Sequence, residues 1–494
     1  MPTDPHPSRP TPRLERRSFL KASTLGAAAL SLGLGASPAP AVHTRRARPT
    51  KARNVIFMVS DGMSFGTLTL ADMYRRQHHG RQSHWLELFS RPDVRRGLFA
   101  TWSADSPVTD SAAAGSAWGC GRHIDNSAIN ITPDGVQKVP ILVRARQGGK
   151  ATGLATTTRL THATPASFVA NCPRRDWEEP IAEQMLERRV DVLLGGGAKF
   201  ISEKKLGSQS DVSVVRTRAE LLATMDGSQA APGRLVGLFA DSHLPFVLDR
   251  GGHVPSLREM TRAALGRLDR DSEGFVLQIE GGRVDHAAHA NDAASIIAEQ
   301  VEFDDAVAEA LSFLDGGKRD DTLLIVTSDH GNANPGLTLY GKAGREGFDR
   351  VAEAKRSFEW ITDRLHGLDA GAARKELGPL VEQATGVRLE EGDLDLVVGP
   401  LAGRRIAAFR EMNALDSALG GVLANHFGIS FVSGNHTSDY VEVTALGPGS
   451  ERVAPTGHNV DLYRVMVEAL ALGPGALLPD MEEVVTFPKK PKPE

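Results

Sequence analysis

Short apolar runs rich in β-branched residues recur at positions 55–59, 98–101, 153–156, 190–194, 235–239, 275–279 and 323–327. Between several of them the apolar positions repeat with helical spacing, as at 181–188, 257–268 and 293–314. Near-continuous apolar strands, rather than alternating ones, belong to a sheet buried on both faces. Alternating with helices, they predict an α/β fold with a mostly parallel central sheet and helices on both sides. Residues 340–430 read differently. They are charged and helical in pattern (349–365 and 372–383), with a Gly- and Asp-containing break near 391–395. They form an expected insertion, a helical cap region or subunit contact, between the strand ending at Thr327 and a last strand near 440–446.

The first forty residues follow another logic. Arg16 and Arg17 precede an apolar run over 22–36 that ends in Ala39, Pro40 and Ala41. A twin arginine, a short apolar stretch and small residues at a cleavage point predict a twin-arginine signal peptide at 1–41. Residues 42–494 then form the folded domain. The expected destination is the periplasm or the medium, and the twin-arginine route carries chains already folded, which suits one assembled around metals. No other stretch approaches the eighteen apolar residues of a permanent membrane span. The composition, 41% hydrophobic and 24% charged over 494 residues, is that of a folded globular chain. A net charge of −4 with no basic stripe beyond the first fifty residues excludes a nucleic-acid binding module. Two cysteines, Cys120 and Cys172, either pair once or stay as small buried hydrophobes.

The informative polar residues sit where strands end. Asp61 follows the first run, Glu280 the sixth, and Asp329 with His330 the seventh. Ligands of open α/β sheets bind outside the carboxyl ends of the strands. Three carboxylates converging on one edge repel, and a cation between them is the natural remedy. Asp285 and His289 are four apart, so one helical turn presents carboxylate and imidazole together, a common zinc pair. Ser111, after Asp110 and before an alanine-rich helical run, stands near a helix N-terminus where free N–H groups favour phosphate. Either residue also suits a plain helix cap. Thr164 before Pro165 reads equally well as a helix start, with Thr as the cap. Arg175 suits bidentate contact with two phosphate oxygens. His436 stands alone before a strand.

Taken together, these segments resemble the alkaline phosphatase family. Ser60-Asp61-Gly62-Met63, Thr109-Asp110-Ser111-Ala112-Ala113, His162-Ala163-Thr164-Pro165, the segment from Glu280 to His289, Thr327 to His330, and Gly434 to Thr437 match its motifs in the family order. The resemblance implies a phosphomonoesterase with Ser111 as nucleophile, phosphate monoesters as substrates and inorganic phosphate as product. It implies one zinc on Asp285, His289 and His436, and a second on Asp61, Asp329 and His330. A third ion, usually magnesium, would lie on Asp61, Thr164 and Glu280. Arg175 would grip phosphate, oriented by Asp110, and the family habit is a homodimer. His162 and His286 follow the animal pattern, where the best-known bacterial form has Asp and Lys. Imidazole beside the third site predicts weaker magnesium binding, with zinc or cobalt able to compete. A phosphodiesterase of the same superfamily and a silent metal- or phosphate-binding protein are the alternatives. The nucleophile motif of sulfatases is absent.

Overall fold

A computed structural model describes residues 51–472 apart from 208 and 226–232. The expected signal peptide and the Lys/Pro-rich tail at 488–493 lie outside the described residues. The centre is a ten-stranded sheet. Eight of its strands, in chain order, are β1 (Asn54–Ser60), β2 (Arg95–Ala100), β3 (Ala151–Arg159), β4 (Val192–Gly196), β5 (Val212–Val215), β6 (Arg234–Leu238), β7 (Phe275–Gly281) and β8 (Thr322–Thr327). The other two are Val441–Leu446 and Thr456–His458. From one edge the order runs Thr456–His458, β2, Val441–Leu446, β8, β1, β7, β3, β4, β6, β5. Every pairing is parallel except those of Val441–Leu446, which runs antiparallel between β2 and β8. The expected α/β architecture is the one observed.

Successive side chains of a strand point to opposite faces, and β1 shows what that does here. Val55, Phe57 and Val59 enter one core, while Ile56 and Met58 enter the other. All five are fully buried, which is why the run carries no alternation. On the first face Phe57 packs against Trp118 and Phe168, with ring centroids 4.9 and 5.3 Å away. Trp118 belongs to the helix Ser111–Cys120, so the centre of the sheet supports the helix that begins at the candidate nucleophile. Cys120 and Cys172 are both free and buried.

Helices and short turns fill the segment from 341 to 427 and carry a third core, built on Phe348, Phe358, Ile361, Leu377 and Leu423. That core is shared with Leu70, Ala293, Ala294 and Ile297 of two helices that cover the sheet. Three local expectations are corrected. The helical pattern at 349–365 is two helices, Gly341–Val351 and Phe358–Leu365. Ser357 caps the second by accepting from the Trp360 N–H, and the Lys355 N–H bonds to the Ala384 carbonyl of another helix. The expected break at 391–395 lies inside the helix Glu391–Val397, because Glu390 and Asp393 form a reciprocal cap that outweighs Gly392. Thr164 does not cap its helix. His162 takes that position before Ala163–Ser167, accepting the Ala166 N–H, and the Thr164 hydroxyl is left free to turn toward the sheet.

Replacing Phe57 by Ala is expected to cost about 3–5 kcal/mol, since it empties a site walled by two aromatic rings. Urea unfolding of the variant against the parent chain checks this.

Candidate metal and phosphate site

Pairing register decides which groups meet at the carboxyl edge of the sheet. Val59 of β1 is level with Glu280 of β7 and with Thr327 of β8, so Asp61 leaves the central strand between Glu280 and Asp329. Asp61, Glu280, Asp329 and His330 are all fully buried. His330 Nε2 lies 3.1 Å from Asp329 Oδ2 and 3.7 Å from Asp61 Oδ1. Thr164 Oγ1 donates to Asp61 Oδ2 at 3.3 Å. Thr156 and Thr158 both donate to Glu280 Oε2, which leaves its other oxygen free.

Gly62 allows this crowding. Its N–H donates to Asp329 Oδ1 at 2.9 Å, its φ is +68°, and a Cβ there would stand 2.5 Å from Asp285 Oδ1. The helix Arg283–His289 places Asp285 and His289 one turn apart, with His289 Nε2 3.4 Å from Asp285 Oδ2. His436 reaches the same point through a two-residue strand, His436–Thr437, paired antiparallel with Gly331–Asn332. Its Nε2 is 3.5 Å from Asp285 Oδ1 and 3.0 Å from His289 Nε2.

The donor chemistry of these groups fits metal ions. His289 Nδ1 faces the Gly434 carbonyl at 2.7 Å, and His436 Nδ1 faces the Thr109 carbonyl at 2.8 Å. Each therefore holds its hydrogen on Nδ1 and directs the Nε2 lone pair at the other and at Asp285, the tautomer that a metal ligand requires. Asp61 Oδ1, Asp329 Oδ2 and Glu280 Oε1 are buried without a hydrogen-bond partner among the described residues. Three groups have ligand atoms close enough to share an ion: Asp285 with His330 and His436, Asp61 with Asp329 and His330, and Asp61 with His162 and Glu280. Burial, then the charges of Asp329, Asp285 and Glu280, push the Asp61 carboxyl well above its ordinary range. Burial acts the same way on Asp285, but His289, His436 and His330 around it hold that carboxyl below its usual range. Burial and the neighbouring His330 lower the His436 imidazole to about 4.

Ser111 is the first residue of its helix and is buried. Its Oγ lies 3.4 Å from His330 Nε2, against the Asp61–Asp329 group. Asp110 caps the helix by accepting the Ala113 N–H at 2.9 Å on one oxygen. The other oxygen accepts from Arg175 Nη1 at 3.1 Å and from the Ser127 N–H at 3.0 Å. Arg175 Nη2 contacts His162 Nε2 at 3.0 Å. Arg174 instead turns outward and pairs with Asp176 on the surface. Every residue expected at the site is thus brought to one pocket, with His286, bonded to Arg283, at its side, 5.5 Å from His162 between ring centroids. One neighbour escaped the sequence reading. His243, in the loop after β6, has its ring centroid 4.3 Å from that of His286 and 5.7 Å from that of His162. It stands in no motif of its own, and only β6 ending at the same sheet edge could have pointed to it.

A family model for alkaline phosphatase matches residues 52–472. The chain belongs to the alkaline phosphatase family. Alkaline phosphatase 3 of Bacillus subtilis is 29% identical over 459 residues, covering 89% of this chain and 94% of that protein. The crystal structure of Thermus thermophilus alkaline phosphatase superposes with a TM-score of 0.78 at 34% identity, over 88% of this chain and 96% of that one. A cold-active alkaline phosphatase from a Shewanella species superposes at 0.70 with 26% identity, over 84% and 99%. The protein is accordingly a phosphomonoesterase hydrolase of a metal-dependent family, with metal-binding clusters at the carboxyl edge of its sheet.

In this alkaline phosphatase, Gly62→Ala is expected to cost at least about 2 kcal/mol, because the left-handed backbone disfavours a Cβ and the Asp285 carboxylate already fills the space. Thermal unfolding, with metal content measured on the same samples, checks both the stability loss and the disturbed ligand.

Proposed function

We propose that the protein is an exported phosphate-monoester hydrolase that works through a phosphoserine at Ser111 beside two zinc ions and a third ion. Asp285, His289 and His436 would hold the first zinc, Asp61, Asp329 and His330 the second, and Asp61, Thr164 and Glu280 a magnesium. Cations there would neutralise the crowded carboxylates, lower the pKa of the serine hydroxyl and stabilise the departing alkoxide.

The chain's own residues supply the rest. Ser111 Oγ attacks phosphorus in line with the ester oxygen, the P–O bond to the alcohol breaks, and phosphoserine forms. Arg175, oriented by Asp110, binds two nonbridging oxygens, and the first N–H groups of the Ser111 helix bind the phosphoryl group as well. Water then attacks phosphoserine in line, releasing inorganic phosphate and restoring Ser111. The observation that carries this reading is the position of Ser111 Oγ, at a helix N-terminus beside His330 and under an arginine clamped by the residue that caps the same helix. Positioning and charge neutralisation are what phosphoryl transfer asks of a protein.

At the third site, imidazole at His162 replaces a carboxylate, so magnesium should bind weakly and zinc or cobalt should compete. The twin arginine at Arg16 and Arg17 supports export to the periplasm or beyond, and the family habit supports a homodimer. No helix among the described residues is long and apolar enough to cross a membrane.

Ser111→Ala should abolish turnover and leave no phosphoenzyme after acid quenching; full activity with an intact phosphate burst would overturn the scheme. Arg175→Ala should lower kcat/KM roughly 100-fold, while Arg174→Ala leaves it unchanged. His162→Asp should tighten magnesium binding in a calorimetric titration. Steady-state hydrolysis of an aryl phosphate monoester and the matching diester at alkaline pH should favour the monoester strongly, and the reverse preference would move the function to phosphodiesterase.

A further inference from the structure

Arg283 belongs to none of the ligand groups, yet it is 3% exposed and stands two residues before Asp285. Its guanidinium lies 3.7 Å over the ring of Phe246. Nη1 contacts His286 Nδ1 at 2.8 Å, and Nη2 donates to Glu359 Oε2 at 2.6 Å. Glu359 comes from the first turn of Phe358–Leu365, in the segment whose task the sequence left open. The start of that helix is pinned to the catalytic body twice more. Ser357 donates its hydroxyl and its N–H to Asp249, and the Phe358 N–H donates to Asp292 Oδ2 at 2.7 Å.

A guanidinium offers donors only. His286 Nδ1 therefore accepts, and the neutral ring carries its hydrogen on Nε2. That donor edge is the one left for the imidazole pocket, where the His286 centroid is 5.5 Å from that of His162. His162 in turn contacts Arg175.

We propose that Glu359 is a positioning residue for the phosphatase reaction, acting through Arg283 to hold His286 as an Nε2–H donor beside the third-ion ligands. This rests on the assignment of Asp61, Thr164 and Glu280 to that ion. Glu359 is half-exposed but Arg283 is buried, so the carboxylate both neutralises a buried guanidinium and fixes where it points. Without the carboxylate, Arg283 loses the partner that fixes its second nitrogen, and His286 loses the fixed donor that selects its tautomer.

The test uses the metal-loaded full chain, with Glu359→Ala, Glu359→Gln and, as a control on a surface pair of the same segment, Glu346→Ala. Partners that orient metal-site histidines are worth about 10- to 100-fold, and with one further bond between, Glu359→Ala should lower kcat by about the lower figure. KM should barely move, and kcat is read well below the unfolding midpoint, which falls when a buried guanidinium loses its partner. Glu359→Gln, which keeps an oxygen acceptor, should recover most of the loss, and Glu346→Ala should match the parent chain. In ¹⁵N-histidine spectra, the His286 signal, identified by its disappearance in His286→Gln, should show the Nε2–H tautomer in the parent and a mixture in Glu359→Ala. Unchanged kcat with an unchanged tautomer overturns the proposal, as does a kcat loss that only tracks a lower unfolding midpoint. Phosphoserine trapping in the same samples separates the two readings: its absence from the parent chain removes the covalent scheme, whereas its presence with an unaltered His286 spectrum in Glu359→Ala removes the positioning role alone.

Discussion

Mutual repulsion among buried carboxylates is the constraint on which this molecule depends. Asp61, Glu280, Asp329 and Asp285 are brought into one pocket with almost no exposed surface. Like charges in a medium of low polarity are costly, and the raised pKa of Asp61 records that cost. Only a rigid frame can hold such an arrangement. Here the frame is the hydrogen-bonded register of β7, β1 and β8, buried on both faces, so that relieving the repulsion by movement would break strand pairing and two cores. The remaining remedy is positive charge, which a cation held between these carboxylates and the neutral imidazoles beside them would supply.

The site economises on groups by giving each more than one neighbour to satisfy. Asp110 caps the Ser111 helix with one oxygen and clamps Arg175 with the other, so the proposed nucleophile and the proposed phosphate-binding arginine share one reference point. The Thr109 carbonyl, just before them, fixes the tautomer of His436. The loop preceding the serine is thereby tied to the Asp285 group as well as to the helix it opens. A displacement of that loop would move Ser111, Arg175 and His436 together, and in the proposed reaction, with little covalent work for the protein, such shared support is why positioning counts for so much.

Most of this was legible from the chain, for identifiable reasons. Strands buried on both faces leave unbroken apolar runs, and polar residues directly after them, such as Asp61 and Asp329, stand out against that background. The short edge strand β5 went unread because Ser213 and an exposed Val214 give it no such run. Boundaries inside the inserted segment also resisted reading. Ser357 and Glu390 stop and start helices through side-chain hydrogen bonds, which periodicity does not register, and the Lys355 backbone bonds to a helix distant in sequence. The role of Thr164 depended on a shift of two residues in its helix, inside the usual uncertainty of a helix end. His243 and Arg283 were invisible for a different reason. Their partners lie on other elements, and no spacing along one chain segment encodes a contact between β6, the Asp285 helix and an insertion.

The insertion occupies a position from which it can hardly avoid influencing the site. Its core rests on Ala293, Ala294 and Ile297, the first turns of the long helix Ala293–Phe313, which begins four residues after His289. Small side chains there let the inserted helices approach closely, and close packing transmits displacement rather than absorbing it. Asp292 links the two parts directly, since it caps the long helix through the Ser295 N–H and accepts from Phe358 of the insertion with its other oxygen. A segment meant only to lie over the pocket would need contacts at its rim. This one has such a contact, from Asn435 beside His436 to Glu411, and is bonded besides to residues around the Asp285 helix, through Asp249, Asp292 and Arg283, so its mechanical connection reaches the candidate ligands from two sides.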